Sequence, residues 1–453
     1  MQKEKCKWLR SSRNADNNPK TLAVTIAPRP TPPATGRTPG WINCQGGMYD
    51  KRGNQVCPVR VDYSCCNEST MNLIEAIKSV PDHRHSRGIR HELWLILTII
   101  LLGSCTGYWG YKPLVEFTKN HRKTLIKLFN LPSDIQFPSD STFRNIIQSL
   151  DFEILAVLFN VWSQQELSID EGELMAMDGK SLKSTSVGGS SSYQNFVSIV
   201  SVYSHRHGWV VRHQVMENKQ KSELEVVEEL VQELSGKKVV ITLDALHCQK
   251  KTLALIIKSG NDYIVTLKKN QLNLFKAAKR LVSSTMAAQE NEVSECVHGR
   301  STTRQTKNYP IPPELLPLWA GAKHIIVVRR YGTRWEGKKS RRHQVDFDEV
   351  HYYLSSLDWS ASQFASAIRG HWLIENRLHW VKDVTLNEDN DIRCGGNAPV
   401  NWAMIRQFLV SLARMKCTHT FPEALRLMAN QIEDLSELLF DLSSPDKPIK
   451  CLA

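Results

Sequence analysis

The sequence predicts an α/β protein in which a mixed β-sheet, flanked by helices, follows a small all-helical domain. Between residues 71 and 168 the apolar residues recur at helical spacing. From Leu174 onward, strand-like apolar runs alternate with helical stripes in the order β-β-β-α-β-α-β-α, which is typical of a sheet with helices on its faces. The 453 residues are enough for two or three domains.

The composition favours a polyanionic partner. The chain carries 58 Lys and Arg against 46 Asp and Glu, a net charge of +12. Eleven cysteines without paired spacing indicate reduced thiols in the cytoplasm, and the group Cys44, Cys57, Cys65 and Cys66 lacks the spacing of a zinc site. The apolar run Leu93–Leu102 is about half of the roughly 20 residues that a membrane span needs, so it predicts a buried core helix and no membrane partner.

The N-terminal part divides near residue 70. Residues 1–70 are basic and rich in proline without an apolar period, which predicts a disordered extension. Residues 71–168 predict four or five helices, one of them capped by Ser139 or Asp140. The basic residues of this domain fit a solvated face or contacts with a DNA backbone equally well.

Two aspartates follow predicted strands in the region 172–415. Asp178 ends the run LMAMD, and Asp244 ends the near-continuously apolar run KKVVITLD. The ends of such strands are where α/β folds usually place their chemistry. An aspartate after a strand is, however, more often a turn or cap residue than a ligand. Residues 291–356 predict strands at 325–330 and 351–354 with a basic loop at 333–343, and residues 416–453 predict a helical tail.

Ser222 and Glu225 predict a capping box at the start of the helix that precedes the run ending in Asp244. A third acid lies on a later helix, which a capping box of Ser360 and Gln363 begins. At helical spacing, one face of this helix carries Ile368, His371, Glu375, Leu378, His379 and Lys382. Three carboxylates converging from separate elements repel one another unless a hard cation such as Mg²⁺ or Mn²⁺ binds them. Two such ions in one site support in-line phosphoryl transfer to water or a 3′-hydroxyl.

The sequence also permits interpretations of these residues other than a Mg²⁺ or Mn²⁺ site. Glu375 can pair with its histidine or lysine neighbours at helical distances, or bind zinc with His371 and His379, although no HExxH pattern is present. The acids that follow the helix look like a solvated loop: Asp383, Glu388, Asp389 and Asp391.

The sequence resembles the transposases of the ISAs1 family of bacterial insertion sequences, which includes the H-repeat-associated proteins. The similarity covers roughly residues 71–415 through strings that occur in the family's order, among them PSDSTFRNIIQSLD, MAMDGKSLKS, VVITLDALHCQKKT, DYIVTLKKNQ and RGHWLIENRLHWVKDVTLNEDN. The resemblance implies an RNase H-like DDE catalytic domain with an insertion at about 291–356, preceded by a helical domain.

The resemblance also assigns residues. Asp178, Asp244 and Glu375 become the catalytic, metal-binding acids. A related Y-R-E-K signature places His371 at its basic position, Lys382 at its lysine and Ile368 where tyrosine would stand. The candidate DNA contacts are His371, Lys382, Lys180, Lys268, Asn270, His298, Arg300, Arg304 and Lys307.

The function expected from these assignments is an insertion-sequence transposase that cuts the ends of its element and joins 3′-hydroxyls to target DNA. It would use two Mg²⁺ or Mn²⁺ ions, bind terminal inverted repeats and target DNA, self-associate on that DNA, and work in the bacterial cytoplasm at the nucleoid. A domesticated nuclease with the same fold and an inactive DNA-binding protein are the alternatives.

Overall fold

The computed structural model describes residues 48–49, 55–56, 73–165, 169–186, 196–297, 300–337, 343–393, 395–416 and 420–440. The chain divides into two units, residues 1–68 and 69–453. In the first unit two short strands, β1 (Met48–Tyr49) and β2 (Gln55–Val56), pair antiparallel. The rest of the predicted extension, including its five cysteines, lies outside the described residues.

Six helices form the first part of the larger unit. They are α1 (Leu73–Lys78), α2 (Leu93–Cys105), α3 (Tyr111–Asn120), α4 (Arg122–Phe129), α5 (Asp140–Ser149) and α6 (Phe152–Gln165). Helix α2 is buried along almost its whole length, which confirms the prediction of a core helix. The side chain of Ser139 caps α5. No single described helix is long and apolar enough to cross a membrane, while α5 and α6, bent by 87°, pass that test only as a pair.

The C-terminal helices belong to the same core as the first six. They are α11 (Ala398–Lys416), α12 (Phe421–Asn430) and α13 (Ile432–Phe440). Trp162 of α6 stacks on Phe408 of α11 with ring centroids 4.5 Å apart, and Met428 and Leu435 are fully buried in this core. Within the predicted tail, the described residues 420–440 form α12 and α13 and pack against the N-terminal helices, while residues 417–419 and 441–453 lie outside the described part of the chain.

A single nine-stranded sheet forms the second layer, in the order β5-β4-β3-β6-β7-β11-β10-β9-β8. Strands β3, β6 and β7 are parallel to one another, and all other neighbours are antiparallel. The strands are β3 (Leu174–Ser181), β4 (Val197–Ser204), β5 (Val210–Glu217), β6 (Val240–Leu243), β7 (Asp262–Leu267), β8 (Gln289–Val297), β9 (Arg300–Pro310), β10 (His324–Glu336) and β11 (His343–Ser355).

The two faces of this sheet are covered by different helices. Met175 and Met177 of β3 face a core that they share with α7 (Glu223–Glu233), α8 (Lys250–Lys258) and α9 (Leu272–Ser284). Because side chains alternate along a strand, Ala176 and Asp178 face the opposite side. That side packs against α10 (Ala361–His371) and the helical layer. The predicted capping boxes of α7 and α10 are both present.

The region 291–356 extends the sheet rather than forming a separate lobe. Its last strand, β11, pairs antiparallel with β7, and β10, β9 and β8 follow outward. The predicted bounds of the loop at 333–343 were wrong at both ends, because residues 333–336 belong to β10 and His343 begins β11. Residues 338–342 lie outside the described part of the chain.

Candidate active site

Asp178 lies on β3, and Asp244 directly follows β6, the parallel strand next to β3. The ladder between β3 and β6 pairs Ala176 with Thr242, so residues two positions further on, Asp178 and Asp244, extend the same row on the same face. The Asp244 carboxylate also accepts a hydrogen bond from Leu246 N at 2.9 Å, so it caps a short 3₁₀ turn as well as facing the site.

Glu375 approaches this row from the segment that follows α10. Helix α10 ends at His371, and residues 375–379 and 381–385 are π-helical. Ile368, His371 and Glu375 line one pocket, as the predicted face requires, but the wider π turn breaks that face beyond Glu375. Glu375 is exposed toward the pocket, whereas Leu378 and Lys382 are each 1% exposed in the interior.

One pocket brings the three acids together. Its lining includes Asp178, Asp244, Glu375, His371 and Lys268. Burial, followed by the negative charges of Glu223, Asp244 and Glu375, raises the pKa of Asp178 to about 7. Lys268 is the only Lys or Arg among the described lining residues, so this excess of carboxylate charge has little local compensation.

Neutral imidazoles surround the acids. Burial lowers the pKa of His371 to about 4 and that of His379 to about 3, so both rings are uncharged near neutral pH. His371 Nδ1 lies 2.9 Å from Thr242 Oγ1, and His379 Nδ1 lies 3.4 Å from Asp178 Oδ2. His371, expected as a basic DNA contact, is thus a neutral wall of the pocket, and His379 is positioned to orient Asp178.

Lys382 and Lys180 are held in an internal charge cluster. Lys382 is 1% exposed, lies 3.3 Å from Glu388 Oε2 and donates to Gln407 Oε1. Lys180 pairs with Asp383 at 2.7 Å. As placed, the Lys382 ammonium cannot reach a DNA phosphate, which corrects the role expected from the sequence.

The acids that follow the helix are not the solvated loop that was expected. The side chains of Glu388 and Asp391 are 4% and 3% exposed. Asp391 pairs with Arg393 and with the buried Arg406, each at 2.6 Å. These acids neutralise internal cations, because a buried charge without a partner is costly.

The other candidate DNA contacts are scattered over the sheet. Lys268 is exposed at the pocket, while Asn270 donates to Ala245 O and so supports the turn after Asp244. Arg300 is exposed on β9 and stacks over the Phe347 ring. Arg304 is paired with Glu295, and Lys307 with Glu290, so neither charge is free in this arrangement. His298 lies outside the described residues.

Sequence reasoning missed two residues beside the acids, Glu223 and His247. His247 Nε2 lies 3.2 Å from Glu223 Oε1 and 3.9 Å from Asp244 Oδ1. Glu223 begins α7 and looks like an ordinary first-turn acid in the sequence. Only the spacing of His247, three residues after Asp244, could have suggested that this histidine belongs to the site.

The chemistry of this donor set fits a divalent hard cation. Its ligand atoms are carboxylate oxygens, which Mg²⁺ and Mn²⁺ prefer, and their mutual repulsion lacks a resident positive charge. As the side chains stand, no three His, Cys, Asp or Glu groups of the described residues are arranged to hold an ion. An ion held by all three acids would require the exposed Glu375 and half-exposed Asp244 side chains to turn toward Asp178.

Comparison with known proteins identifies the family to which the chain belongs. Residues 74–163 match the family described as DDE_Tnp_1-associated, and residues 170–412 match the family described as Transposase DDE domain. The second match covers more than half of the 453 residues, so the chain belongs to the DDE transposases.

Individual relatives agree with this family. "Putative transposase YncI" of Escherichia coli O157:H7 is 30% identical over 353 residues, 76% of this chain and 88% of that protein. "H repeat-associated putative transposase YhhI" of Escherichia coli (strain K12) is 28% identical over 347 residues, 75% of this chain and 89% of that protein. Among solved structures, a piggyBac transposase synaptic complex with hairpin DNA is 10% identical, covers 81% of each chain and has a TM-score of 0.37.

Proposed function

We propose that this DDE transposase cuts the ends of an insertion sequence of the ISAs1 family and joins the exposed 3′-hydroxyls to target DNA. The observation that carries the proposal is one pocket lined by Asp178, Asp244 and Glu375, with Asp178 on β3 and Asp244 directly after the parallel strand β6. Strands β5-β4-β3-β6-β7 would then be the RNase H-like part of the sheet, and β8–β11 the insertion.

Asp178, Asp244 and Glu375 would hold two divalent ions, Mg²⁺ or Mn²⁺. When bound, such ions supply the positive charge that activates the attacking hydroxyl or water and stabilises the leaving oxygen. The chain itself positions the carboxylates. The two aspartates are fixed by the β3–β6 ladder, and His379 lies against Asp178 Oδ2.

The protein surface offers the positive charge that DNA binding requires. The net charge of +12 favours a polyanion, and exposed Lys268 at the pocket and Arg300 on β9 are available to phosphates. The partners proposed are the terminal inverted repeats and target DNA, with more than one subunit assembled to pair two ends. The helical region 71–168 would contribute backbone contacts, and the reaction would take place at the nucleoid.

The test is strand cleavage and joining on DNA that carries the repeats flanking the gene, with Mg²⁺. Wild type is compared with Asp244→Asn, Glu375→Gln and the control Asp358→Asn, which neutralises an acid with an 81% exposed side chain outside the pocket. We expect wild type and the control to cut and join, and the two site variants to bind DNA without cutting. Cutting without joining indicates a nuclease, binding without cutting by wild type indicates an inactive protein, and full activity of the site variants contradicts the site.

A further inference from the structure

A fourth carboxylate lies beside the three acids. Glu223 is the first residue of α7, and its side chain rests against Gly179, the neighbour of Asp178. A Cβ atom on Gly179 would stand 2.6 Å from Glu223 Oε2 and 3.1 Å from Oε1. Glycine at position 179 therefore allows a carboxylate to approach the backbone next to Asp178.

A buried histidine holds this carboxylate. His247 is 1% exposed, and its Nε2 lies 3.2 Å from Glu223 Oε1. Because an ionised carboxylate only accepts hydrogen bonds, Nε2 carries the hydrogen and donates it. The same nitrogen lies 3.9 Å from Asp244 Oδ1, so one ring faces both acids. Glu223 Oε2 has no hydrogen-bond partner within the described structure.

The turn that carries His247 links Glu223 to the acid already assigned. Asp244 caps the 3₁₀ turn Ala245–His247, and this turn fixes where the imidazole lies. The positions of the Asp244 and Glu223 carboxylates are therefore set by one short segment. Ligating carboxylates are typically held in this way, by a hydrogen bond that fixes one oxygen and leaves the other for the ion.

The simpler interpretation is that Glu223 only stabilises the start of α7. An acid in the first helical turn is favourable because of the exposed N–H groups there. That role requires neither a buried imidazole nor a glycine on the opposite strand, and Ser222 and Glu225 already cap this helix. The contacts with Gly179 and His247 instead direct the carboxylate toward the acids of β3 and β6.

We propose that Glu223 is a fourth carboxylate ligand of the divalent-metal site, and that His247 positions it. This inference rests on the proposed function, since it adds a ligand to the site of Asp178, Asp244 and Glu375. In this arrangement His247 fixes Oε1 of Glu223, and Oε2 is the oxygen available to an ion.

The test is Mn²⁺ binding to the full-length protein, with free Mn²⁺ measured by electron paramagnetic resonance in the absence of DNA. Glu223→Gln removes the ligand, Glu223→Asp keeps the charge but shortens its reach, and Glu228→Gln removes a carboxylate of the same helix that pairs with Lys251. We expect the first two variants to weaken at least one Mn²⁺ site tenfold or more, and Glu228→Gln to bind as wild type does. Adding His247→Gln to Glu223→Gln should cause little further loss.

The outcomes separate this inference from the proposed function. Unchanged Mn²⁺ binding by Glu223→Gln overturns the role of Glu223 as a ligand. If Glu223→Gln weakens Mn²⁺ binding but Glu223→Asp does not, the negative charge alone explains the effect, and the ligand role is overturned as well. An equal loss in Glu228→Gln overturns it as well. Asp244→Asn reports on the proposed site itself. If Asp244→Asn binds Mn²⁺ as wild type does, the site fails; if only Asp244→Asn loses binding, the site stands and the role of Glu223 fails.

Discussion

The buried pair of Lys382 and Glu388 gives a sharp prediction about stability. The two side chains are 1% and 4% exposed and lie 3.3 Å apart, and burial lowers the pKa of the Lys382 ammonium. Lys382→Met removes the charge and keeps an unbranched side chain of similar length. Glu388 is then left with Lys180, 3.5 Å from its Oε1, as the cation that remains within ion-pair distance.

The size of the effect follows from this geometry. Removing one partner of a buried ion pair costs about 3–5 kcal/mol, because the other charge stays buried without compensation. Since Lys180 remains close to Glu388, the expected loss lies at the low end, about 3 kcal/mol. Replacing both partners, as in Lys382→Met with Glu388→Gln, removes both charges, so most of this loss should be recovered.

The assay is urea unfolding followed by tryptophan fluorescence and circular dichroism. The matched control is Lys251→Met, whose lysine is 79% exposed and pairs with Glu228; exposed pairs of this kind contribute at most about 1 kcal/mol. If Lys382→Met unfolds as late as the control but binds DNA much more weakly, then Lys382 reaches DNA and its structural role is refuted.

Three further predictions concern acid stability, the sheet and the site. Burial lowers the pKa of His213 from 6.5 to about 3, because the folded protein disfavours the charged ring. The contribution of His213 to the free energy of unfolding is therefore highest above pH 6.5 and decreases as the pH falls toward 3. His213→Phe should remove about 2 kcal/mol of the decrease between pH 7.5 and 5, and an unchanged pH dependence of the melting temperature would contradict this. Gly332→Ala would place a Cβ 2.1 Å from Ser301 O and should lower the melting temperature far more than Gly107→Ala, where a Cβ meets nothing within 4 Å; equal losses would contradict the strand pairing. Burial and neighbouring acids raise the pKa of Asp178 to about 7, so Mn²⁺ binding should strengthen from pH 6 to 8 and release protons. Calorimetry in buffers of different ionisation enthalpy measures the protons released, and Mn²⁺ binding without proton release at pH 6.5 would contradict the prediction.

The sequence was informative wherever local pattern and structure agree. The apolar runs before Asp178 and Asp244 predicted β3 and β6, and the capping boxes at Ser222 and Ser360 predicted the starts of α7 and α10. In each case the signal lies within a few neighbouring residues.

The remaining features depend on contacts between distant segments. Strand β8 is polar and mostly exposed, so it has no apolar alternation to reveal it, and pairing with β9 defines it. Nothing local marks the π-helical turn at Glu375, because Leu378 and His379 fit ordinary helical spacing. Glu223 could not be found because its neighbours, Gly179 and His247, are brought to it only when the sheet and α7 assemble.

The most direct test of the metal site is a switch of metal specificity at Asp178. Asp178→Cys replaces a hard oxygen ligand by a soft sulfur ligand, and Asp178→Ser is the control without a thiolate. With the flanking repeats as substrate, we predict that Asp178→Cys cuts DNA poorly in Mg²⁺ and recovers cleavage in Mn²⁺ or Cd²⁺, while Asp178→Ser recovers in neither. Cleavage in Mg²⁺ at the wild-type rate by folded Asp178→Cys would show that this side chain does not bind the catalytic metal.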